Sequence, residues 1–223
     1  MPDIYATNDG RAIHNSSSNW EDARGGATAN SVWTNNTSNA IRTSKTSGRG
    51  GSNWSVSRTF MQFDTSGISV TPSEATLKIY GLTSTASDVI VVKSDYSSSL
   101  ATSDFNNITN GATPLGNTDG SGAGTFASTS VVEYSAEIAT WTTSGYNDIE
   151  LNSDALSDMS SLDDFKICIM SYDYDYLDVE PSGLIDTGMY FSSNSGTSKD
   201  PYIDYTAGTA TVTQNATFFG ANF

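Results

Sequence analysis

The residues best equipped for chemistry lie in one tract, Ser171 to Glu180, which runs Ser-Tyr-Asp-Tyr-Asp-Tyr-Leu-Asp-Val-Glu. Read as an extended strand, the tract has two surfaces. Asp173 and Asp175 point one way; Tyr172, Tyr174 and Tyr176 point the other. Clustered carboxylates supply the hard oxygen ligands that calcium takes, so Asp173, Asp175 and Asp178 are the candidate ligands of a calcium ion. The spacing is not that of an EF-hand, because the loop glycine and the terminal glutamate are missing. The tyrosines suit another ligand. Aromatic faces stack on pyranose rings while nearby carboxylates accept sugar hydroxyls, which makes Tyr172, Tyr174 and Tyr176 candidate carbohydrate contacts. Trp20, Trp33, Trp54 and Trp141 offer the same chemistry, although a tryptophan more often fills a core. The plainer reading of the tract is an acidic strand edge that discourages edge-to-edge pairing.

Other chemistries find little support. Paired carboxylates carry out glycoside hydrolysis, and Asp163 with Asp164, or Asp173 with Asp175, are available. In a chain with 25 Asp and Glu such pairs carry little information. A Ser-His-Asp triad would need the single histidine, His14, and no G-x-S-x-G elbow is present. Ser121 is flanked by glycines but lacks the strand-to-helix setting. There is no P-loop and no dinucleotide fingerprint. The single cysteine, Cys168, sits in the apolar run Phe165 to Met170 and reads as a small buried hydrophobe. One cysteine excludes a disulfide framework or a cysteine-rich zinc site within the chain. These observations point away from an enzyme, with no cofactor required.

Charge narrows the partners. The 223 residues carry a net charge of −15, with 10 Lys and Arg against 25 Asp and Glu. The basic residues crowd towards the start: Arg11, Arg24, Arg42, Lys45, Arg49 and Arg58 all fall within the first 58 positions. A duplex-binding protein concentrates a basic face; this chain shows the reverse, and no nucleic-acid partner is expected. No apolar run reaches the length of a membrane-crossing helix, so no membrane insertion is expected. The polar first ten residues lack the pattern of a secretory signal.

The elements that must position these residues are strands. The hydrophobic share is 36%, and Ser, Thr, Asn and Gly are abundant, which suits an all-β fold with many turns. The stretch from Ser57 to Tyr80 reads as strand, turn and strand. Thr65-Ser66-Gly67 supplies the turn. Ala75, Leu77 and Ile79 then alternate with Thr76, Lys78 and Tyr80 in the period of a half-buried strand. Further strands are predicted at Ile4 to Ala6, ending in an Asn8-Asp9-Gly10 turn, at Ala40 to Thr43, Val89 to Val92, Thr125 to Tyr134, Tyr146 to Leu151, Phe165 to Tyr174, Met189 to Ser192 and Tyr202 to Thr206. Ser44 to Asn53 reads as a mobile Gly/Ser/Arg loop. Asp154 to Ser161, capped by Asn152 or Ser153, is the predicted helix.

Arg58, the Phe63-Asp64 pair and Ser73 to Tyr80 together resemble the central signature of DNRLRE-type β-sandwich domains. Tyr190-Phe191-Ser192-Ser193 and Asp200-Pro201-Tyr202-Ile203-Asp204-Tyr205 are similar to that family's closing strand pair. Such domains occur as carbohydrate-binding or surface modules and in phage structural proteins. The resemblance implies a single jelly-roll-type β-sandwich over residues 1–206, with long polar loops and one short helix. It also implies that Arg58 is a buried or half-buried arginine held by a carboxylate or by backbone carbonyls.

Residues 207–223 lack charged side chains and end in Phe218, Phe219 and Phe223. They read as an assembly arm, or as one more edge strand. The expectation is a non-enzymatic structural protein on the outside of a phage-like particle, a capsid decoration, fibre or tail component. Its partners would be other virion proteins or copies of itself, reached through the arm. The alternative is a carbohydrate-binding module, calcium-assisted or not, that recognises surface polysaccharide such as a host glycan.

Overall fold

The computed structural model describes residues 3–34, 36–85, 88–108, 131–194 and 196–209. The fold is all-β. Its strands are β1 (Asp3–Ser16), β2 (Ser31–Trp33), β3 (Ser38–Gly48), β4 (Gly51–Asp64), β5 (Glu74–Ser84), β6 (Val89–Lys93), β7 (Tyr146–Glu150), β8 (Asp164–Ser171), β9 (Leu184–Tyr190) and β10 (Tyr202–Thr206). Two α-helices, α1 (Trp20–Gly25) and α2 (Ser153–Ser161), and a 3-10 turn (Thr102–Asn106) pack on them.

Every strand pairing is antiparallel, and the sheet folds back on itself to make a sandwich-like body. Two long strands make the fold-back possible. The start of β1 pairs with β10 and the rest with β4; the register shifts between Ala6 and Asn8. The start of β5 pairs with β10 and its end with β9; the register shifts between Gly81 and Thr83. A bulge bends a strand and increases its twist, which lets one strand serve two layers. Gly81 at the second bend has no substitute: a Cβ there would overlap the carbonyl oxygen of Thr142.

The alternation of side chains builds two cores from one layer. On β8, Phe165, Ile167 and Ile169 enter the main core, while Cys168 and Met170 enter a second. On β6, Val89 and Val91 face the first and Ile90 and Val92 the second. Strands buried on both faces read as near-continuous apolar runs, as Val89 to Val92 and Ile167 to Met170 do. Each such side chain contributes about 1.5–3 kcal/mol of burial. The second core is closed by Trp20 and Ala23 of α1, by Tyr96, Leu100, Phe105 and Ile108, and by half-buried Tyr172, Tyr174 and Tyr176.

Several expectations are corrected. Strands β4 and β5 do not form a hairpin; β4 pairs with β1, β3 and β8, and β5 with β7, β9 and β10. Their connection passes between layers, with Ile68 turned into the main core. The Asn8-Asp9-Gly10 segment continues β1, because Asp9 accepts a hydrogen bond from the Ser192 N–H at 2.7 Å instead of capping a turn. The Ser44–Asn53 segment is the end of a β3–β4 hairpin in which Gly48 pairs with Gly51. The two residues between them suit a tight turn, and Gly51 holds φ at +115°. There is more than one helix. Alpha helix α2 stands where predicted, with Asn152 accepting from the N–H groups of Asp154 and Ala155. Helix α1 is additional, capped by Asn19. The predicted strand Thr125 to Tyr134 lies mostly outside the described residues, as does the assembly arm Phe218, Phe219 and Phe223.

Candidate functional site

The Ser171–Glu180 tract is not extended. Beyond β8 the chain winds into one wide turn over Tyr172–Tyr176. The Leu177 N–H donates to the Tyr172 carbonyl and the Val179 N–H to the Tyr174 carbonyl. Asp178 closes the turn at φ +57°, a left-handed position that Asp tolerates better than most residues. Tyr172 and Tyr176, four apart, now stack in near-parallel contact with centroids 5.3 Å apart. Each therefore gives one ring face to the other. The Tyr176 hydroxyl donates to Glu133, and burial together with that carboxylate pushes the phenol well above its ordinary range. The three tyrosines pack against the second core, so they do not form a flat sugar platform.

The carboxylates part company. Asp175 turns inward and is fully buried. Its two oxygens take the Nε and Nη2 groups of Arg58 at 2.7 and 2.8 Å, a bidentate fork. Arg58 is itself 0% exposed and also donates to the carbonyls of Phe105 and Arg24, both at 3.0 Å, and to Asn106 Oδ1 at 2.6 Å. Arg24, also buried, donates to the Asp175 carbonyl at 2.6 Å and lies 3.4 Å from Asp178. Desolvation pulls the Arg24 pKa down to about 10, against the pull of Asp175 and Asp178. Asp178 also accepts from the indole of Trp20 at 3.1 Å, and burial raises its carboxyl despite Arg24. Two of the three predicted calcium ligands thus neutralise arginines. The carboxylate or carbonyl partner expected for Arg58 is present in both forms.

Asp173 joins a different group. It meets Asp88 and Glu137, and the ligand atoms of all three lie within 4.8 Å of one another. The Asp88 N–H donates to Asp173 at 3.2 Å. A hydrogen bond with Asp88 and the nearby negative charges raise the Glu137 carboxyl. This trio, not Asp173 with Asp175 and Asp178, is the oxygen set whose chemistry suits a hard divalent cation. Asp88 and Glu137 sit far from the tract in sequence, so no local spacing announces them.

The remaining candidates are held in different ways. His14 contacts the Thr28 carbonyl through Nδ1 and tilts on Phe105. Cys168 is fully buried, and burial pushes its thiol up. Trp20 lies in the second core. Trp54 donates to Glu180 at 2.6 Å, and Trp141 donates to the Gly188 carbonyl at 3.1 Å. Trp33 is exposed, with the Arg11 guanidinium 4.5 Å from its ring centre.

A fourth feature emerges from strand register alone. Four tyrosines on the outer face of the β1–β10–β5–β7 layer, joined by Tyr190 at the end of β9, form a continuous strip. The centroid steps are 5.4 Å from Tyr5 to Tyr202, 5.3 Å to Tyr146, 5.2 Å to Tyr80 and 5.7 Å to Tyr190. Most steps are edge-to-face, the arrangement the aromatic quadrupole favours. Tyr80 and Tyr146 are tied by hydroxyl bonds to the carbonyls of Ser144 and Asp200. Lys199 lies over Tyr190 at 4.0 Å and Tyr80 at 5.1 Å. The alternation of Thr76, Lys78 and Tyr80 with apolar neighbours marked one of these positions, Tyr80, as outward; nothing in the sequence announced the strip.

No protein-family model matches this chain, and no curated protein matches it at a significant level.

Proposed function

We propose that this chain is a non-enzymatic structural protein on the outside of a phage-like particle, a capsid decoration, fibre or tail component. One observation carries the reading: its most deeply buried charges serve the fold. Arg24, Arg58 and Asp175 tie α1, β4, the 3-10 turn and the wide turn after β8 into one lock. A chain that spends its best-placed carboxylate and guanidinium groups in this way is built as a scaffold. Acidic charge elsewhere keeps such a surface soluble and apart from nucleic acid. Docking on other virion proteins, or on copies of itself, is assigned to the uncharged residues 207–223.

The test is the solution mass of the full chain beside a chain truncated before Ala210. The full chain should form a discrete oligomer and the truncated one a folded monomer. Two monomers of equal stability would overturn self-docking through the arm.

A second reading, a carbohydrate-binding module, is favoured by the tyrosine strip. The two are compatible, since a surface component can also hold a glycan.

A further inference from the structure

The tyrosine strip sits in an unusual chemical frame. Register lays the outer face out in rows. Asp3 stands opposite Asp204, Asp204 opposite Thr76, and Thr76 opposite Glu150. In the next row Tyr5 faces Tyr202, Tyr202 faces Lys78, and Lys78 faces Asp148. Tyr80 faces Tyr146 in the third. No aliphatic side chain stands in these rows. The apolar surface comes from tyrosine rings, and every other group is a hydrogen-bonding one.

We propose that this face binds a neutral, hydroxyl-rich polysaccharide along the strip from Tyr5 through Tyr202 towards Tyr146. The proposal rests on the carbohydrate-binding reading and gives it a place and a ligand class. Three observations carry it. First, the rings are held by one another and by backbone carbonyls, so binding would not have to order them. Tyr5 is 43% exposed and open to a ligand. Second, acceptors border the rings. Asp3 and Asp204 are like charges placed directly across a strand pair, a placement that weakens pairing. Sugar hydroxyls are donors, and the exposed carboxylates of Asp3, Asp148 and Glu150 beside the rings are open acceptors for them. Third, charge selects the ligand. Asp3, Asp148, Glu150 and Asp204 outnumber Lys78 on these rows, and Lys78 is engaged by Asp148 at 2.6 Å. A polyanion is repelled; a neutral chain is not. A protein interface core would instead be poor in carboxylates and set methionine and arginine beside its tyrosines. At its β7 end the strip opens on a cleft of about 470 Å³ lined by Trp141, Thr142, Tyr146 and Asp148, where a chain could continue.

Affinity electrophoresis of the full chain tests this, in gels cast with a mixed-linkage β-glucan, a galactomannan, a xylan or a dextran, with alginate as the polyanion. At least one neutral gel should retard the protein, and alginate should not. Tyr5→Ala and Tyr202→Ala should each weaken retardation about tenfold, the scale of losing one stacked ring. Tyr202→Phe, which keeps the ring and the fold, should retain most of it. Trp33→Ala, an exposed aromatic elsewhere, should leave it unchanged. Retardation that survives both alanine variants overturns this face while carbohydrate binding itself stands. No retardation in any neutral gel overturns both. Self-association that is lost in Tyr5→Ala assigns the face to a second copy of the chain, and overturns the proposal as well.

Discussion

Replacement of Asp175 tests the buried lock directly. Its carboxylate accepts from Arg58 at 2.7 and 2.8 Å and lies 3.7 Å from Arg24 Nε. In Asp175→Ala, Arg58 keeps three neutral acceptors, the carbonyls of Phe105 and Arg24 and the Asn106 side chain. What it loses is the counter-charge. Removing one partner of a buried ion pair costs about 3–5 kcal/mol. The remaining neutral acceptors, and the Asp178 contact left to Arg24, place the expected loss near the lower end, about 3 kcal/mol. Whole domains stand only about 5–15 kcal/mol above unfolding, so the effect is large. For a chain of this length it corresponds to a melting midpoint lower by roughly 6–12 °C. Urea unfolding followed by tryptophan fluorescence is the assay, since Trp20 is bonded into the same cluster through Asp178. The double variant Arg58→Met with Asp175→Leu removes both charges of the fork and should be less damaged than Asp175→Ala, because Arg58 is not left without its counter-charge and Arg24 keeps Asp178 in both variants. A loss below about 1 kcal/mol in Asp175→Ala, against the range for a buried pair, would refute the reasoning. So would a double variant no better than the single one.

Two other perturbations follow from the same electrostatics. Burial raises the carboxyl of Asp9, with the Asp200 charge adding to it, and burial raises Asp200 as well. A raised folded pKa means that the folded chain holds its proton more tightly than the unfolded one. The associated stability is fully present below the unfolded value and is lost as pH climbs through the folded value. The melting midpoint should therefore rise as pH is lowered from neutrality towards the ordinary carboxylate value of about 4. Asp9→Asn, which can still accept from Ser192, should flatten that slope; an unchanged slope would exonerate Asp9. In the presence of chelator, Glu137→Gln should melt higher than the parent, because it relieves repulsion among Asp88, Glu137 and Asp173. Calcium at about 1 mM, within the range of weak oxygen sites, should close that gap. A gap that calcium leaves untouched removes the ion from the account.

What the sequence made legible was governed by local rules. The apolar runs Val89 to Val92 and Phe165 to Met170 announced strands, and in the fold each run enters two cores. The alternation of β5 and the cap of α2 were likewise local. Errors arose where distant partners decided conformation. Tyr-Asp-Tyr-Asp-Tyr has the period of a strand, but Arg24 and Arg58, more than 110 positions away in the chain, draw Asp175 inward and the tract coils. Asn8-Asp9-Gly10 has turn composition, but the Ser192 N–H occupies Asp9. In both cases a buried polar group took a distant partner in place of a local one.

The tyrosine strip and the main core have one cause. Ile4 pairs with Ile203 in the β1–β10 ladder, and Tyr5 pairs with Tyr202. Adjacent residues on a strand point to opposite faces, so a register that buries Ile203 must turn Tyr202 and Asp204 outward. A slip of one residue would exchange the two sets, exposing the isoleucine and burying Tyr202 and the Asp204 carboxylate. Core burial therefore fixes the strip's position, and it does so across strands from opposite ends of the chain. Neither strand alone specifies a surface: Tyr5 and Tyr202 are ordinary outward residues until the ladder sets their rings 5.4 Å apart. The face's acidic rows are fixed in the same way, because Asp3 and Asp204 flank the same isoleucines. Stability selects a register for its apolar side, and the opposite side comes with it. A ligand-binding face on this layer needs no register of its own, only suitable residues at the outward positions, which is why loss of the ring at Tyr202 should change binding far more than folding.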